Sequence, residues 1–238
     1  MSIARILVIN PNSSASVTDG MKAVLVAPPQ TSLTFYTAPT DSPPSIDNAT
    51  AASFSATICF TDIHSQHRLD FFDGFLVCCF SNHPLIHILR EYTSKPTIGI
   101  FEAAITHALL SGTRFGIIST GTGFKYPRIT DVHAFLGAQS SRFAGLVTSG
   151  LGVVELREGD PARVERCMKE TSAKVAATGA DVILLGCADR DGSAQGMAGM
   201  ESLVQQGVAE AGYGPVLVVD GNKAGVEFLA SLIRLSKH

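Results

Sequence analysis

The chain has 238 residues, 45% hydrophobic and 16% charged, with a formal net charge of −3. That length and apolar content supply a core for one large domain or two lobes, and the weak negative charge carries no basic footprint for nucleic acid. No apolar run reaches the ~18 residues that span a bilayer, the N-terminus leads directly into a strand, and the five cysteines lack the close pairing of a zinc site; a cytoplasmic chain with reduced thiols, no metal and no membrane anchor is expected.

Residues 3–9 read as an apolar strand that breaks at Asn10-Pro11-Asn12-Ser13-Ser14. Pro11 and the asparagines stop the strand, and Ser13 or Ser14 can cap a helix running to about residue 26. This corner aims backbone N–H groups and amide side chains at the sheet edge; the rival reading is an ordinary capped turn. A second strand is expected over 32–37. The prolines 39, 43 and 44 then mark an irregular loop, either a lid or a passive excursion, before a helix over 47–66.

Residues 71–81, FFDGFLVCCFS, follow. A short apolar run behind an Asp-Gly turn reads as a buried parallel strand. Side chains alternate along a strand, so Cys78 and Cys79 face opposite ways. One enters the core and the other reaches the C-terminal edge, where open α/β sheets place their ligands. A short helix over 84–92, a strand over 97–100 and a helix from Phe101 complete the first half.

The second half repeats the first. A strand over 115–118 ends in Ser119-Thr120-Gly121-Thr122-Gly123, whose glycines allow close backbone approach to an oxygen. A helix over 127–136, a strand over 144–148 and a helix over 161–177 lead to GADVILLGCA at 179–188, again an aspartate, an apolar run and a thiol, Cys187. RILVIN at 5–10 matches RFGIIS at 114–119. Asn10 to Cys79 and Ser119 to Cys187 are then nearly equal intervals, and Cys79 becomes the partner of Cys187. This spacing indicates an internal duplication, two α/β halves with one cysteine each. A strand over 215–219 and a helix over 224–235 close the chain. No dinucleotide or triphosphate fingerprint is present.

Two matched thiols suit one kind of chemistry. Moving a proton on a carbon beside a carbonyl needs a base on one face and an acid on the other, and a thiolate and a thiol exchange those roles with the direction of reaction. A free thiol titrates at about 8.5, so N–H groups or a helix N-terminus must favour its ionisation. The developing enolate oxygen needs donors as well. Candidates are the backbone N–H groups of Phe80, Ser81, Asn82 and Ala188, the side chains of Asn10, Ser81, Ser119 and Thr120, and the backbone at Gly121. Cys59, Cys78 and Cys167 read as structural. His83 and His87, four apart, read as a packed or solvent-facing pair in preference to a metal or proton-relay site.

INPNSS at 9–14, CFSNHPL at 79–85, GIFEA at 99–103, FGIISTG at 115–121, and GCA with GMAGME within 186–201 resemble the hydantoin and allantoin racemase branch of the aspartate/glutamate racemase superfamily, over nearly the whole chain. S-N-H-P-L after the first cysteine resembles a fungal subgroup in particular. The resemblance implies two pseudo-symmetric, doubly wound lobes with parallel sheets: residues 1–97 with 214–238 carrying Cys79, and 98–213 carrying Cys187. It further implies a site between the lobes, a small-molecule substrate, no cofactor and a homo-oligomer. The chain departs from the family in two places. Seven residues, Asp189 to Gln195, separate Ala188 from Gly196 where the helix behind Cys187 begins, and Ser81-Asn82-His83-Pro84 replaces the usual G-D-P-G.

Three functions fit. The first is a cofactor-independent racemase or epimerase acting on a hydantoin- or allantoin-like compound. The second is a lyase or isomerase on the same scaffold, such as a malonate-type decarboxylase, which needs only one proton-donating cysteine, or a cis-trans isomerase of a dicarboxylate. The third is a small-molecule binding protein in which the insertion disables the second thiol.

Overall fold

The structure, a computed structural model, describes residues 3–120, 125–152, 155–156, 159–186 and 194–236, with 125–126 and 194–199 described by backbone only. It divides into two compact units, Met1–Ala103 with Asn222–His238, and Ala104–Gly221.

In the first unit β1 (Ala4–Asn10), β2 (Thr31–Thr37), β3 (Gly74–Val77) and β4 (Thr97–Gly99) form a parallel sheet in the order β2-β1-β3-β4. In the central strand β1 the run 6–9 is apolar without interruption because both its faces are covered. Ile6 and Val8 pack with Met21 of α1 (Ala15–Val24) and with Val226, Leu229 and Ile233 of the C-terminal helix Gly221–Leu235. Leu7 and Ile9, on the opposite face, pack with Ala56, Cys59 and Ile63 of α2 (Ala49–Ser65) and with Leu85, Ile86 and Leu89 of the helix Pro84–Tyr92. These β1 side chains have no exposed surface, and each burial contributes roughly 1.5–3 kcal/mol. Gly74 opens β3 where a Cβ would come within 2.8 Å of Ile233 Cδ1, so the small residue lets the C-terminal helix lie close to the sheet.

The second unit repeats that order. β5 (Phe115–Ser119), β6 (Phe143–Thr148), β7 (Val182–Leu185) and β8 (Leu217–Val219) pair in parallel as β6-β5-β7-β8. Ile118, Ile183 and Leu185 pack with Val164, Met168 and Val175 of the helix Pro161–Ala176 and with Val204 and Val208 of the helix Ala194–Glu210. Ile117 and Leu184, the alternate residues of their strands, are fully buried too.

The remaining helices are α3 (Arg68–Phe71), a single turn not expected from the sequence, α4 (Pro84–Tyr92), α5 (Ile100–Ser111), which starts in the first unit and continues into the second, and α6 (Lys125–Leu136). The helices Pro161–Ala176, Ala194–Glu210 and Gly221–Leu235 are α7, α8 and α9. Of the C-terminal segment only α9 returns to the first unit. β8 pairs with β7 and β4 with β3, so the divisions fall after Ala103 and Gly221, beyond the expected 97 and 213. Among the described residues no helix is long and apolar enough to cross a membrane.

The two sheets share their hydrogen-bond register. Ile9 pairs with Val77 as Ile118 pairs with Leu185. Immediately beyond, Cys78 N donates to Ile9 O at 2.8 Å and Gly186 N donates to Ile118 O at 2.8 Å. At the other end, the Asp73 carboxylate accepts the Arg5 backbone N–H at 2.8 Å. The Asp181 carboxylate likewise accepts the Arg114 N–H at 2.8 Å and the Thr113 N–H at 2.8 Å. Burial pushes the Asp181 carboxyl up, but these N–H donors outweigh it and hold the group below the usual carboxylate range. One aspartate thus ties the entry of each repeated strand pair.

Candidate active site

Strand β3 ends at Val77, two residues before Cys79, so both thiols of the Cys78-Cys79 pair lie on the turn beyond the strand and not within it. Cys78 packs against the apolar cluster of α1 and α9, and both sulfur-bearing residues are half-buried. Ser81 curls back over this turn. Its backbone N–H donates to Cys79 O at 2.8 Å, and its Oγ–H donates to Cys79 Sγ at 3.0 Å. A hydroxyl aimed at sulfur favours the thiolate over the thiol. Ser81 is buried, so this hydrogen bond is partly shielded from water.

The donors expected from the helix behind Cys79 are used elsewhere. Helix α4 begins with Pro84, which has no N–H. The next N–H, of Leu85, donates to His83 Nδ1 at 3.3 Å, and that of Ile86 donates to His83 O at 3.0 Å. His83 therefore caps the helix with both ring and carbonyl, and no N–H of that first pair is left for Cys79. From this turn the Ser81 hydroxyl reaches the Cys79 sulfur. Phe80 stands edge-on to Phe101 of α5, ring centres 5.3 Å apart. Asn82 is exposed, and its Oδ1 lies 2.8 Å from His87 Nε2. The two histidines separate: His87 is exposed, whereas His83 has no exposed surface. Among the described residues no cluster of three metal-ligating side chains occurs.

Asn10 ends β1 and is also fully buried. Its Nδ2 donates to Ser14 O at 3.0 Å and to Thr18 Oγ1 at 3.1 Å, and its Oδ1 accepts the Asn12 N–H at 3.2 Å. Both amide hydrogens are committed inside the chain, so Asn10 shapes the corner and has no side-chain hydrogen left to offer a ligand. Ser14 occupies the N-cap position of α1, but its side chain makes no capping bond; its Oγ pairs with Ser16 Oγ at 3.0 Å. The proline-rich loop is anchored to the same corner, Ser13 N donating to Pro43 O at 3.1 Å and Ala38 N to Asn10 O at 3.0 Å. Beneath it, Ser55 Oγ and Cys59 Sγ of α2 both donate to Pro11 O. Sequence reading missed this support, although the signal was present: serine and cysteine at 55 and 59, one helical turn apart, face the same way.

In the second unit Ser119 occupies the register position of Asn10, half-buried, with its Oγ 3.4 Å from Thr120 O. Ser149 N donates to Ser119 O at 2.8 Å, as Ala38 N does to Asn10 O. Gly121, Cys187, Ala188 and the insertion through residue 193 lie outside the described residues, and α8 begins at Ala194.

The Asp/Glu/Hydantoin racemase family matches residues 6–229 of the chain. An uncharacterized protein of Schizosaccharomyces pombe is 38% identical, over 98% of this chain and 93% of its own length. A hydantoin racemase of Rhizobium meliloti is 32% identical over 94% of this chain and 87% of its length. Among solved structures, an allantoin racemase from Klebsiella pneumoniae superposes with a TM-score of 0.78 at 28% identity, covering 98% of this chain and 89% of that one. With the shared register of the two sheets and a half-buried, hydroxyl-bonded thiol at the end of β3, these matches make the chain a member of the Asp/Glu/hydantoin racemase family.

Proposed function

We propose that this protein is a cofactor-independent racemase or epimerase that moves a proton at a carbon α to a carbonyl, with Cys79 and Cys187 as the acid/base pair and a hydantoin- or allantoin-like ring as substrate. The observation that supports it most is the hydrogen bond from Ser81 Oγ to Cys79 Sγ. It gives the first thiol a donor at the sheet edge, and the repeat register assigns Cys187 the corresponding position in sequence. A hydantoin α-proton is acidified by its carbonyl and ureido neighbours, so a thiolate suffices as base. In the reaction the thiolate takes the α-proton from one face, the electron pair moves onto the carbonyl oxygen, and the opposite thiol returns a proton to carbon.

Within this reading the enolate oxygen is met by the N–H groups of Phe80, Asn82 and Ala188, the Ser119 and Thr120 hydroxyls and the backbone at Gly121. The Ser81 N–H is withdrawn from that set by its bond to Cys79 O. Ser81 itself is assigned to the Cys79 thiolate, and Asn10 to the geometry of the corner.

The test is solvent deuterium incorporation at the α-carbon of single enantiomers of allantoin and several 5-substituted hydantoins, followed by NMR. Wild type is expected to exchange and racemise, and Cys79→Ser and Cys187→Ser each to lose about 10²–10⁴-fold or to exchange from one face only. Absence of exchange in wild type across the panel rejects hydantoin racemisation. Decarboxylation of aryl- or alkylmalonates by wild type, dependent on one cysteine alone, would favour the lyase.

A further inference from the structure

His83 combines properties that a plain helix cap does not need. N-capping is ordinarily done by Ser, Thr, Asp or Asn, whose side chains satisfy one N–H and bury nothing further. His83 satisfies the Leu85 N–H through Nδ1, and this fixes the tautomer: an Nδ1 that accepts has its proton on Nε2. Burial also holds the ring neutral, lowering its titration to about 4. Nε2 is buried and has no hydrogen-bond partner. An orphaned buried donor is costly, and in a native protein such a group calls for a reason. The residue stands four positions after Cys79, on the turn whose Ser81 hydroxyl reaches the Cys79 sulfur.

We propose that the His83 Nε2–H is a specificity-determining donor for an acceptor oxygen of the ligand handled at Cys79. The inference rests on the racemase reading and deepens it: the substrate class is one with a carbonyl oxygen beyond the one that becomes the enolate, as a hydantoin ring has. Nε2 presents no surface to water, so the pairing forms only as the turn 79–83 adjusts around the ligand, and the cost of the orphan is recovered in the complex. A neutral donor suits this place, because it binds a carbonyl without competing as a base with the thiolate.

The experiment uses the full chain with ¹⁵N-labelled histidine, His83 being assigned by its absence in His83→Asn. Without ligand the ring is expected to show the neutral Nε2–H tautomer, and any other tautomer or a charged ring overturns the inference. Saturating each enantiomer of 5-methylhydantoin on Cys79→Ser, which arrests turnover, is expected to move the Nε2–H proton downfield. His83→Asn, which keeps a capping oxygen, is expected to lose about tenfold or more in kcat/KM, mostly in KM. If His83→Asn does not fold, His83→Gln supplies the assignment, and the Nε2–H shift on Cys79→Ser still decides. A wild type that exchanges deuterium while the His83 ring stays silent on binding, or a folded His83→Asn of full activity, overturns this contact alone. A wild type that neither binds nor exchanges any compound of the panel overturns the racemase reading and the contact with it.

Discussion

Cys59 and Cys79 are both thiols within reach of serine hydroxyls, yet one is fully buried and the other half-buried. Cys59 has no exposed surface. Burial pushes its thiol up to about 12. The Ser55 and Tyr36 hydroxyls beside it favour the thiolate but do not offset that burial, and the Asp62 carboxylate nearby opposes a further negative charge; the two hydroxyls donate elsewhere, to Pro11 O and to Asp62. Cys79 is half-buried on a turn at a sheet edge, with one hydroxyl on its sulfur. At Cys59 the number of polar neighbours does not decide ionisation; the loss of water does.

Alkylation separates the two thiols most widely. At pH 8 a thiol titrating at about 12 is roughly one part in 10⁴ thiolate, whereas a thiol at the ordinary value is about a quarter ionised. Iodoacetamide on the native chain is therefore expected to label Cys79 at least about 10³ times faster than Cys59, measured by peptide mass spectrometry over time. Comparable rates would erase the contrast. Ser81→Ala sharpens it from the other side. Removing a hydrogen bond to a charged acceptor costs about 1.5–3 kcal/mol, or one to two pH units of titration. The pH midpoint of Cys79 labelling should rise by about one unit or more, while the slow labelling of Cys59 stays as it was. An unmoved midpoint would show that the hydroxyl does not support the thiolate.

Much of this contrast was legible in the sequence, and the parts that were not have physical reasons. The uninterrupted apolar runs of β1, β3, β5 and β7 announce strands buried on both faces, and the matching intervals between them announce the repeat. The aspartates before β3 and β7 were visible as well, although their bonds to Arg5 and Arg114 N–H join residues 68 and 67 positions apart, beyond any local pattern. The Ser81 contact with Cys79 has no periodic signature, because it arises from a turn and not from a helix or strand. The sequence leaves His83 packed or solvent-facing, and only three-dimensional packing shows it buried. Asn10 was readable in part. Asn-x-Asn is the spacing at which an asparagine side chain accepts the N–H two residues on, which points to a corner-forming side chain.

The smallest effect concerns Cys59 itself and tests whether burial dominates there. Cys59→Ala removes one sulfur from a packed site and leaves Pro11 O with the Ser55 hydroxyl, so a loss of about 1 kcal/mol is expected at neutral pH, or about 2–4 °C in Tm for a chain of this size. The sign of the difference then depends on pH. A group whose titration is raised by folding, here from 9.0 to about 12, contributes stability that is complete below 9.0 and is lost as pH rises through the folded value, because the unfolded chain releases its proton first. The wild type carries that loss and the alanine variant does not. One unit is worth about 1.4 kcal/mol, so the two stabilities should cross near about pH 10, with the variant the more stable above it. Tyr36, raised as well by burial, then by the Cys59 thiolate and by its bond to Asp62, remains in both proteins, and in the variant it loses only the part that Cys59 supplies. Urea unfolding of both at pH 7, 9 and 10.5 measures the crossing, and parallel stability curves would mean that the Cys59 thiol ionises in the folded chain as readily as in the unfolded one.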